Sequence, residues 1–250
     1  MTDSPILAKL NQRQRDAVAS NANQVLVLAG AGSGKTRVLV HRIAWYLETG
    51  QASPLGILAV TFTNKAAAEM RGRIEQLTGR PIGGMWVGTF HNIAHRILRA
   101  HARDANLPDN FQIIDSDDQL RVVKRVIRGL NLDDNEWPAK EAQWFINARK
   151  DDGQRPQHVD DYGDGALHTM VDIYRAYEDA CQRAGLVDFA EMLLRAHELW
   201  LAHPGLLRHY RERFWHVLVD EFQDTNAIQY AWLKNLVGDD GNIFVVGDDD

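Results

Sequence analysis

A segment of small residues that ends in Lys-Thr constrains the fold of this chain more than any other feature. Residues 29–36 read Ala-Gly-Ala-Gly-Ser-Gly-Lys-Thr, after the apolar run Val25–Ala29 and before a helical pattern over Lys35–Glu48. Small side chains let successive backbone N–H groups turn inward around an anion at the start of a helix, where the helix dipole favours negative charge. The segment therefore predicts a strand, a phosphate-binding loop and a helix in that order.

Each residue of this loop is a candidate contact for a nucleotide. Lys35 would reach the β- and γ-phosphates of ATP, and the Thr36 hydroxyl would bind Mg²⁺. The strict form of the pattern begins with Gly, and Ala29 takes that place here. The alternative is a glycine-rich turn that precedes Lys-Thr by chance, which the flanking strand and helix patterns disfavour. The predicted nucleotide contacts in the loop are Ala29, Gly30, Ala31, Gly32, Ser33, Gly34, Lys35 and Thr36.

A second apolar run ends in two carboxylates. His216–Val219 has the pattern of a strand, and Asp220 and Glu221 follow it directly. The carboxyl ends of strands are where α/β sheets bind ligands. Asp220 would hold Mg²⁺, and Glu221 would orient and activate the attacking water. An apolar run followed by Asp-Glu is common on its own, but in one sheet with a phosphate-binding loop it indicates a P-loop NTPase.

The order of patterns along the chain predicts an α/β fold with a mainly helical insertion. Continuous apolar runs separated by helical patterns are typical of a parallel sheet covered on both faces. From about residue 90 to residue 210 the pattern is mainly helical, and strand patterns then return. We predict one discontinuous domain over 1–90 and 211–250, with the insertion over 91–210. The predicted strands are Val25–Ala29, Ile57–Phe62, Met85–Gly88, His216–Val219 and Asn242–Val246.

Charge and composition limit the class of protein and the cellular location that the sequence predicts. The net charge of −6 argues against a protein that coats nucleic acid non-specifically, yet residues 61–103 carry seven cationic and two acidic side chains. No apolar run approaches the ~20 residues that cross a bilayer. The single cysteine, Cys181, fits a reducing compartment. We expect a soluble cytoplasmic protein without a membrane partner.

Two basic stripes lie in the predicted insertion. Their spacing places each stripe on one face of a helix. Such a face is more commonly a solvated surface, and the alternative is a track for nucleic-acid phosphates. The stripes consist of His95, Arg99 and Arg103, and of Arg121, Lys124, Arg125 and Arg128.

Several long motifs resemble those of one protein family. Thr61–Met70 reads TFTNKAAAEM, Gly88–His91 reads GTFH, Asp220–Thr225 reads DEFQDT, Ala184–Glu191 reads AGLVDFAE, and Leu10–Gln14 looks like a Q motif. In this order they resemble the UvrD/Rep/PcrA family of superfamily 1 helicases. The resemblance implies a RecA-like sheet and an ATP-dependent helicase that moves 3′ to 5′ on single-stranded DNA in DNA repair. It also implies single-stranded and 3′-tailed duplex DNA as partners, DNA-repair proteins as further candidate partners, and a bacterial cytoplasmic location.

The resemblance also implies roles for residues outside the two nucleotide motifs. Gln14 would read the adenine edge, because an amide offers a donor and an acceptor together. Arg37 would lie beside the nucleotide, and Gln223 would couple the hydrolysis site to neighbouring motifs. Phe62 would stack on a DNA base, although a Phe at the end of a strand is also a common core residue. The predicted contacts to DNA phosphates or sugars are Thr61, Asn64, Thr89 and His91.

The resemblance runs from about Leu10 to the last residue, and Val246–Asp250 is similar to the start of a further family motif. We therefore expect a second RecA-like domain, with an arginine finger, outside this chain. On that interpretation the chain folds and binds ATP weakly, hydrolyses it very slowly if at all, and unwinds no DNA. Two other hypotheses are a P-loop ATPase or kinase without a DNA function, and a domain that only binds nucleotide or DNA.

Overall fold

The computed structural model describes residues 4–30 and 32–248, which form two compact units. The first unit consists of the described parts of Met1–Ile93, Pro204–Thr225 and Leu233–Asp250. The second unit consists of Ala94–His203 and Asn226–Trp232. The first unit is thus assembled from segments that are distant in sequence. The predicted limits at residues 90 and 211 lie near two of these junctions, and the assignment of the domains stays a prediction.

Parallel strands form the sheet of the first unit. Within the described residues the strands are β1 Gln24–Leu28, β2 Ile57–Thr61, β3 Trp86–Thr89, β4 Gln112–Ile113, β5 Leu186–Val187, β6 His216–Val219 and β7 Asn242–Gly247. Five of them form one sheet in the order β1-β7-β6-β2-β3, and every neighbouring pair is parallel. Strands β2 and β6 are buried along their whole length, as apolar strands of a doubly covered sheet are. The predicted α/β fold with a parallel sheet is therefore confirmed.

The helices of the described residues are α1 Pro5–Ala8, α2 Gln12–Val18, α3 Lys35–Glu48, α4 Asn64–Thr78, α5 Phe90–Ala100, α6 Ser116–Gly129, α7 Ala139–Asp151, α8 Gly165–Ala184, α9 Phe189–Ala202, α10 Pro204–Arg213 and α11 Ala227–Val237. In the first unit, Leu39 of α3 and Met70 of α4 lie in one apolar core with Leu218 of the sheet. Helix α4 begins after Thr63, whose hydroxyl accepts the Ala66 N–H at 3.0 Å and so caps the helix. No helix among the described residues is long and apolar enough to cross a membrane.

Buried charges organise the second unit. Lys150, Arg155, Asp188 and Glu191, here called the ion network, are all buried. Lys150 Nζ lies 2.8 Å from Asp188 Oδ2 and 2.9 Å from Glu191 Oε2. Both Arg155 Nη atoms donate to Glu191, at 2.8 and 2.9 Å. Burial alone would favour the neutral amine, but the two carboxylates outweigh it and raise the pKa of Lys150. The Lys150 ammonium is therefore favoured over the neutral amine.

Replacing Lys150 with Met should destabilise the second unit strongly. Met preserves the apolar stem but removes the charge that compensates Asp188, and breaking one side of a buried ion pair costs about 3–5 kcal/mol. Denaturant unfolding of the chain measures the loss. Arg121→Met is the control, because Arg121 pairs with Asp118 on the surface, where ion pairs contribute about 0–1 kcal/mol. A loss for Lys150→Met no larger than that of the control would contradict this account of the ion network.

Candidate functional site

One edge of the sheet collects the predicted site residues. The strands of the sheet are parallel, so their carboxyl ends lie at the same edge. The segment after β1 leads into α3 at Lys35, and the segment after β6 begins with Asp220 and Glu221. Strand β2 is followed by Phe62, and β7 is followed by Asp248. The fold therefore brings the glycine-rich segment and the paired carboxylates to one place.

The glycine-rich segment turns sharply before α3. Gly32 and Gly34 have φ values of +76° and +89°, in the left-handed region that favours glycine. Gly34 is the residue that precedes the first turn of α3, and the Ser33 N–H donates to the Gly30 carbonyl at 3.2 Å. Ala31, which the sequence also predicts as a nucleotide contact, lies outside the described residues. The glycines thus give the segment the tight path that a phosphate-binding loop requires.

All three donors of the Lys35 ammonium are engaged. Lys35 Nζ donates to the carbonyl oxygens of Ala29, at 2.9 Å, and of Gly30, at 3.3 Å. It also forms an ion pair with Asp248. The hydrogen bond to Asp248 outweighs burial and raises the pKa of Lys35. Asp248 is not among the site residues predicted from the sequence, although it is an acidic residue after an apolar strand, which is the pattern that identifies Asp220.

Thr36 and Asp220 are direct neighbours. The Thr36 hydroxyl donates to Asp220 Oδ2 at 2.9 Å, and the carboxylate is only 2% exposed. Burial raises the pKa of Asp220, and the hydrogen bond from Thr36 opposes that rise. Mg²⁺ prefers oxygen ligands and is commonly held by one or two carboxylates with water and phosphate oxygens. The hydroxyl and carboxylate oxygens of this pair fit that coordination.

Glu221 has an unusual backbone conformation, and its carboxylate accepts a hydrogen bond from a neighbouring side chain. Its φ of +51° is left-handed, which is uncommon for a residue other than glycine. Gln223 Nε2 donates to Glu221 Oε2 at 2.8 Å, and the Asp248 N–H donates to Gln223 Oε1 at 3.0 Å. Gln223 therefore links the Glu221 carboxylate to the backbone at the end of β7.

The Gln14 amide is already engaged within the first unit. Gln14 Oε1 accepts the Asn11 N–H at 3.1 Å, and Gln14 Nε2 donates to the Ser33 carbonyl at 3.2 Å. An amide has a second lone pair and a second N–H, so one acceptor position and one donor remain for a ligand. The contact with Ser33 places Gln14 against the glycine-rich loop.

Arg37 borders a basic cleft. Its Nη2 donates to the Lys9 carbonyl at 2.6 Å, and Lys9, His41 and Arg73 line the cleft with it. Burial lowers the pKa of His41, so the positive charge of the cleft comes from the other three side chains. Lys9 and Arg73 are not among the predicted site residues, because neither lies in a motif.

The predicted DNA contacts differ in their exposure. Phe62 is half-buried and meets Phe90 edge to face, with ring centroids 5.6 Å apart. Thr61 is 1% exposed and Thr89 is 8% exposed. Asn64 is exposed, and its Oδ1 accepts the Asn92 side chain at 2.7 Å. His91 lies in the first turn of α5 and is partly exposed. Their roles stay predictions, and Asn64 and Phe62 offer more surface to a ligand than the two threonines.

The two basic stripes carry local counter-ions. Arg103, Arg121 and Arg128 form ion pairs with Asp109, Asp118 and Asp134, respectively. Arg99 lies over the ring of Phe111, 3.8 Å from its centroid. The three ion pairs favour the solvated surface over a continuous phosphate track, because they compensate the charge of three of the arginine side chains in the stripes.

The sequence predicts a P-loop nucleotide-binding site at this sheet edge, and that assignment stays a prediction. A glycine-rich turn precedes α3, and a carboxylate pair follows β6. The chain belongs to the UvrD/REP helicase N-terminal domain family, which matches residues 10–250. The predicted family membership is therefore confirmed.

Individual relatives agree with this assignment. The chain is 62% identical to DNA helicase II of Escherichia coli (strain K12) over 250 residues, which cover 100% of the chain and 35% of that protein. It is 53% identical to DNA helicase II of Haemophilus influenzae over 254 residues, again with 35% of that protein covered. It is 37% identical to the ATP-dependent DNA helicase PcrA of Bacillus subtilis over 98% of the chain and 33% of that protein. The chain thus spans about a third of the length of these relatives.

Proposed function

We propose that this chain is the ATP-binding part of an ATP-dependent DNA helicase that moves 3′ to 5′ on single-stranded DNA. The observation that carries the proposal is the meeting of Lys35, Thr36, Asp220 and Glu221 at one edge of the sheet. The family, and relatives that are named as DNA helicases, support the same activity.

The side chains at this edge suit phosphoryl transfer to water. The glycine-rich loop would wrap the phosphates with backbone N–H groups, and Lys35 would bind the β- and γ-phosphates. Thr36 and Asp220 would hold Mg²⁺, which neutralises charge on the phosphates when it is bound. Glu221 would accept a proton from the attacking water, and Gln223 would keep the Glu221 carboxylate in place.

DNA would bind beside the nucleotide at the same sheet edge. Phe62 would stack on a base, and Thr61, Asn64, Thr89 and His91 would contact the DNA backbone. The proposed substrates are single-stranded DNA and 3′-tailed duplex DNA. A role in DNA repair, with repair proteins as partners in the bacterial cytoplasm, follows from the same proposal.

Glu221→Gln should separate nucleotide binding from hydrolysis in the full-length protein. The amide preserves the size of the side chain but cannot accept the proton, and loss of a general base lowers turnover by ~10²–10⁴. ATP affinity should remain, as measured by binding of a fluorescent ATP analogue. Glu212→Gln, on the exposed face of α10, is the control and should leave both quantities unchanged. A matched loss of affinity and turnover in Glu221→Gln would make Glu221 a binding residue instead.

Phe62→Ala should weaken DNA binding while the protein still folds. Loss of a stacked base costs about 1–3 kcal/mol of DNA affinity, and loss of the edge-to-face pair with Phe90 costs about 0.5–1.5 kcal/mol of stability beyond area burial. The measurements are single-stranded DNA affinity and DNA-stimulated ATPase in the full-length protein. Trp215→Ala is the control, because Trp215 is 54% exposed and precedes β6 at the opposite edge of the sheet. Normal DNA affinity with a large loss of thermal stability would support the core interpretation of Phe62.

The chain alone should bind Mg·ATP weakly, hydrolyse it very slowly and unwind no DNA. The family resemblance implies a cleft between two RecA-like domains, and an arginine finger from the second domain accelerates phosphoryl transfer by ~10³–10⁵. Translocation also needs two domains that close around the nucleotide. A strand-displacement assay on a 3′-tailed duplex is the test. Unwinding at the rate of the full-length protein would refute the argument.

ATPase of the full-length protein that single-stranded DNA does not stimulate would favour a P-loop ATPase without a DNA function.

A further inference from the structure

Gly247 lies between the glycine-rich loop and the carboxylate pair. It is the last residue of β7 and is in register with Leu28 of β1. Its carbonyl accepts the Ala29 N–H at 3.2 Å, which extends the pairing of β1 and β7 into the loop. The backbone of Gly247 is therefore fixed relative to the loop on that side.

On its other side Gly247 makes room for the Gln223 side chain. A Cβ atom at Gly247 would lie 2.9 Å from Gln223 Oε1 and 3.5 Å from the Gln223 backbone nitrogen. Gly247 is not among the described glycines with left-handed backbone, so its conformation is open to other residues. Space, and not backbone conformation, is therefore the reason for a glycine at this position.

The Gln223 amide uses this space to join two segments. Its oxygen accepts the Asp248 N–H at 3.0 Å, and its nitrogen donates to Glu221 Oε2 at 2.8 Å. Glu221 itself has a left-handed backbone, with a φ of +51°. Gln223 thus holds the Glu221 carboxylate, and the Asp248 N–H at the end of β7 in turn holds the Gln223 amide.

We propose that Gly247 is a positioning residue: because it has no side chain, the Gln223 amide can bridge the Asp248 N–H and the Glu221 carboxylate. The Gly247 carbonyl also accepts the Ala29 N–H. The same residue therefore fixes the position of the Glu221 carboxylate relative to the glycine-rich loop. This inference rests on the proposed function, in which Glu221 activates water for attack on a phosphate held by that loop.

Gly247→Ala should lower turnover without preventing folding or ATP binding. The added methyl group meets the far end of a flexible side chain, which can move away at little cost to stability. The Glu221 carboxylate then loses its contact with Gln223, and a misplacement of about 1 Å can lower a rate by ~10²-fold. In the full-length protein kcat should fall by ~10–10² while KM for ATP and the melting temperature stay close to those of the wild type.

A double-mutant cycle tests whether Gly247 acts through Gln223. Gln223→Ala removes the bridge and also removes the atom that the new methyl group would meet. Gly247→Ala should therefore have no further effect on kcat in the Gln223→Ala background. Gly72→Ala is the control for an added methyl group, because a Cβ at Gly72 meets no atom within 4 Å. Losses of kcat that multiply in the double variant would overturn the proposal.

Amide hydrogen exchange of this chain provides a readout that does not depend on ATP hydrolysis. The Asp248 N–H donates to Gln223 Oε1. Hydrogen exchange at Asp248 should therefore become faster in Gly247→Ala and, to the same degree, in Gln223→Ala. Amides in the middle of β7 should keep their protection. Unchanged exchange at Asp248 in Gly247→Ala would overturn the proposal. Faster exchange at Asp248 together with normal turnover of Glu221→Gln would support the bridge and refute the catalytic role of Glu221. Failure of the Gly247 proposal can thus be distinguished from failure of the proposed function.

Discussion

The common direction of five strands is the constraint on which the first unit depends. Because neighbouring strands are parallel, side chains that follow different strands meet at one sheet edge. Thr36 and Asp220 are 184 positions apart and still share a hydrogen bond of 2.9 Å. If β6 ran in the opposite direction, Asp220 and Glu221 would leave the sheet at its far end and could not reach the glycine-rich loop. Strand direction therefore decides whether the two motifs form one site.

The second unit depends on a different interaction. The ion network joins Lys150 of α7 to Asp188 and Glu191 at the start of α9. Buried ion pairs often contribute little net stability compared with apolar side chains of the same volume, but they are costly to mispair. Apolar surfaces tolerate small shifts of one helix along another, whereas such a shift would lengthen the contacts of 2.8 and 2.9 Å that Lys150 makes with the two carboxylates. The network thus specifies how α7 and α9 pack.

Local patterns predict the sheet and the loop, and they do not predict side-chain partners from distant segments. The apolar run Ile57–Phe62 predicts the strand observed at Ile57–Thr61, since its continuous burial leaves a continuous apolar record in the sequence. Strands β4 and β5 have two residues each, too few for any periodicity. The sequence leaves two interpretations of Phe62 open, and its half-buried position against Phe90 shows why position in the chain cannot decide between them.

The pairing of Lys35 with Asp248 is the clearest case of such a distant partner, and it bears on how the loop binds a phosphate. The ion pair exists because β7 lies next to β1, an adjacency that no pattern near either residue records. An ammonium group has three donors, and here two bind carbonyl oxygens and one binds a carboxylate.

A phosphate that binds Lys35 must therefore replace one of these acceptors. The affinity of the loop for a nucleotide then reflects the difference between the phosphate and the acceptor it replaces, and not the full strength of the new contact. A triphosphate carries more negative charge than one carboxylate and also accepts hydrogen bonds from backbone N–H groups at the start of α3, and these contributions favour the exchange.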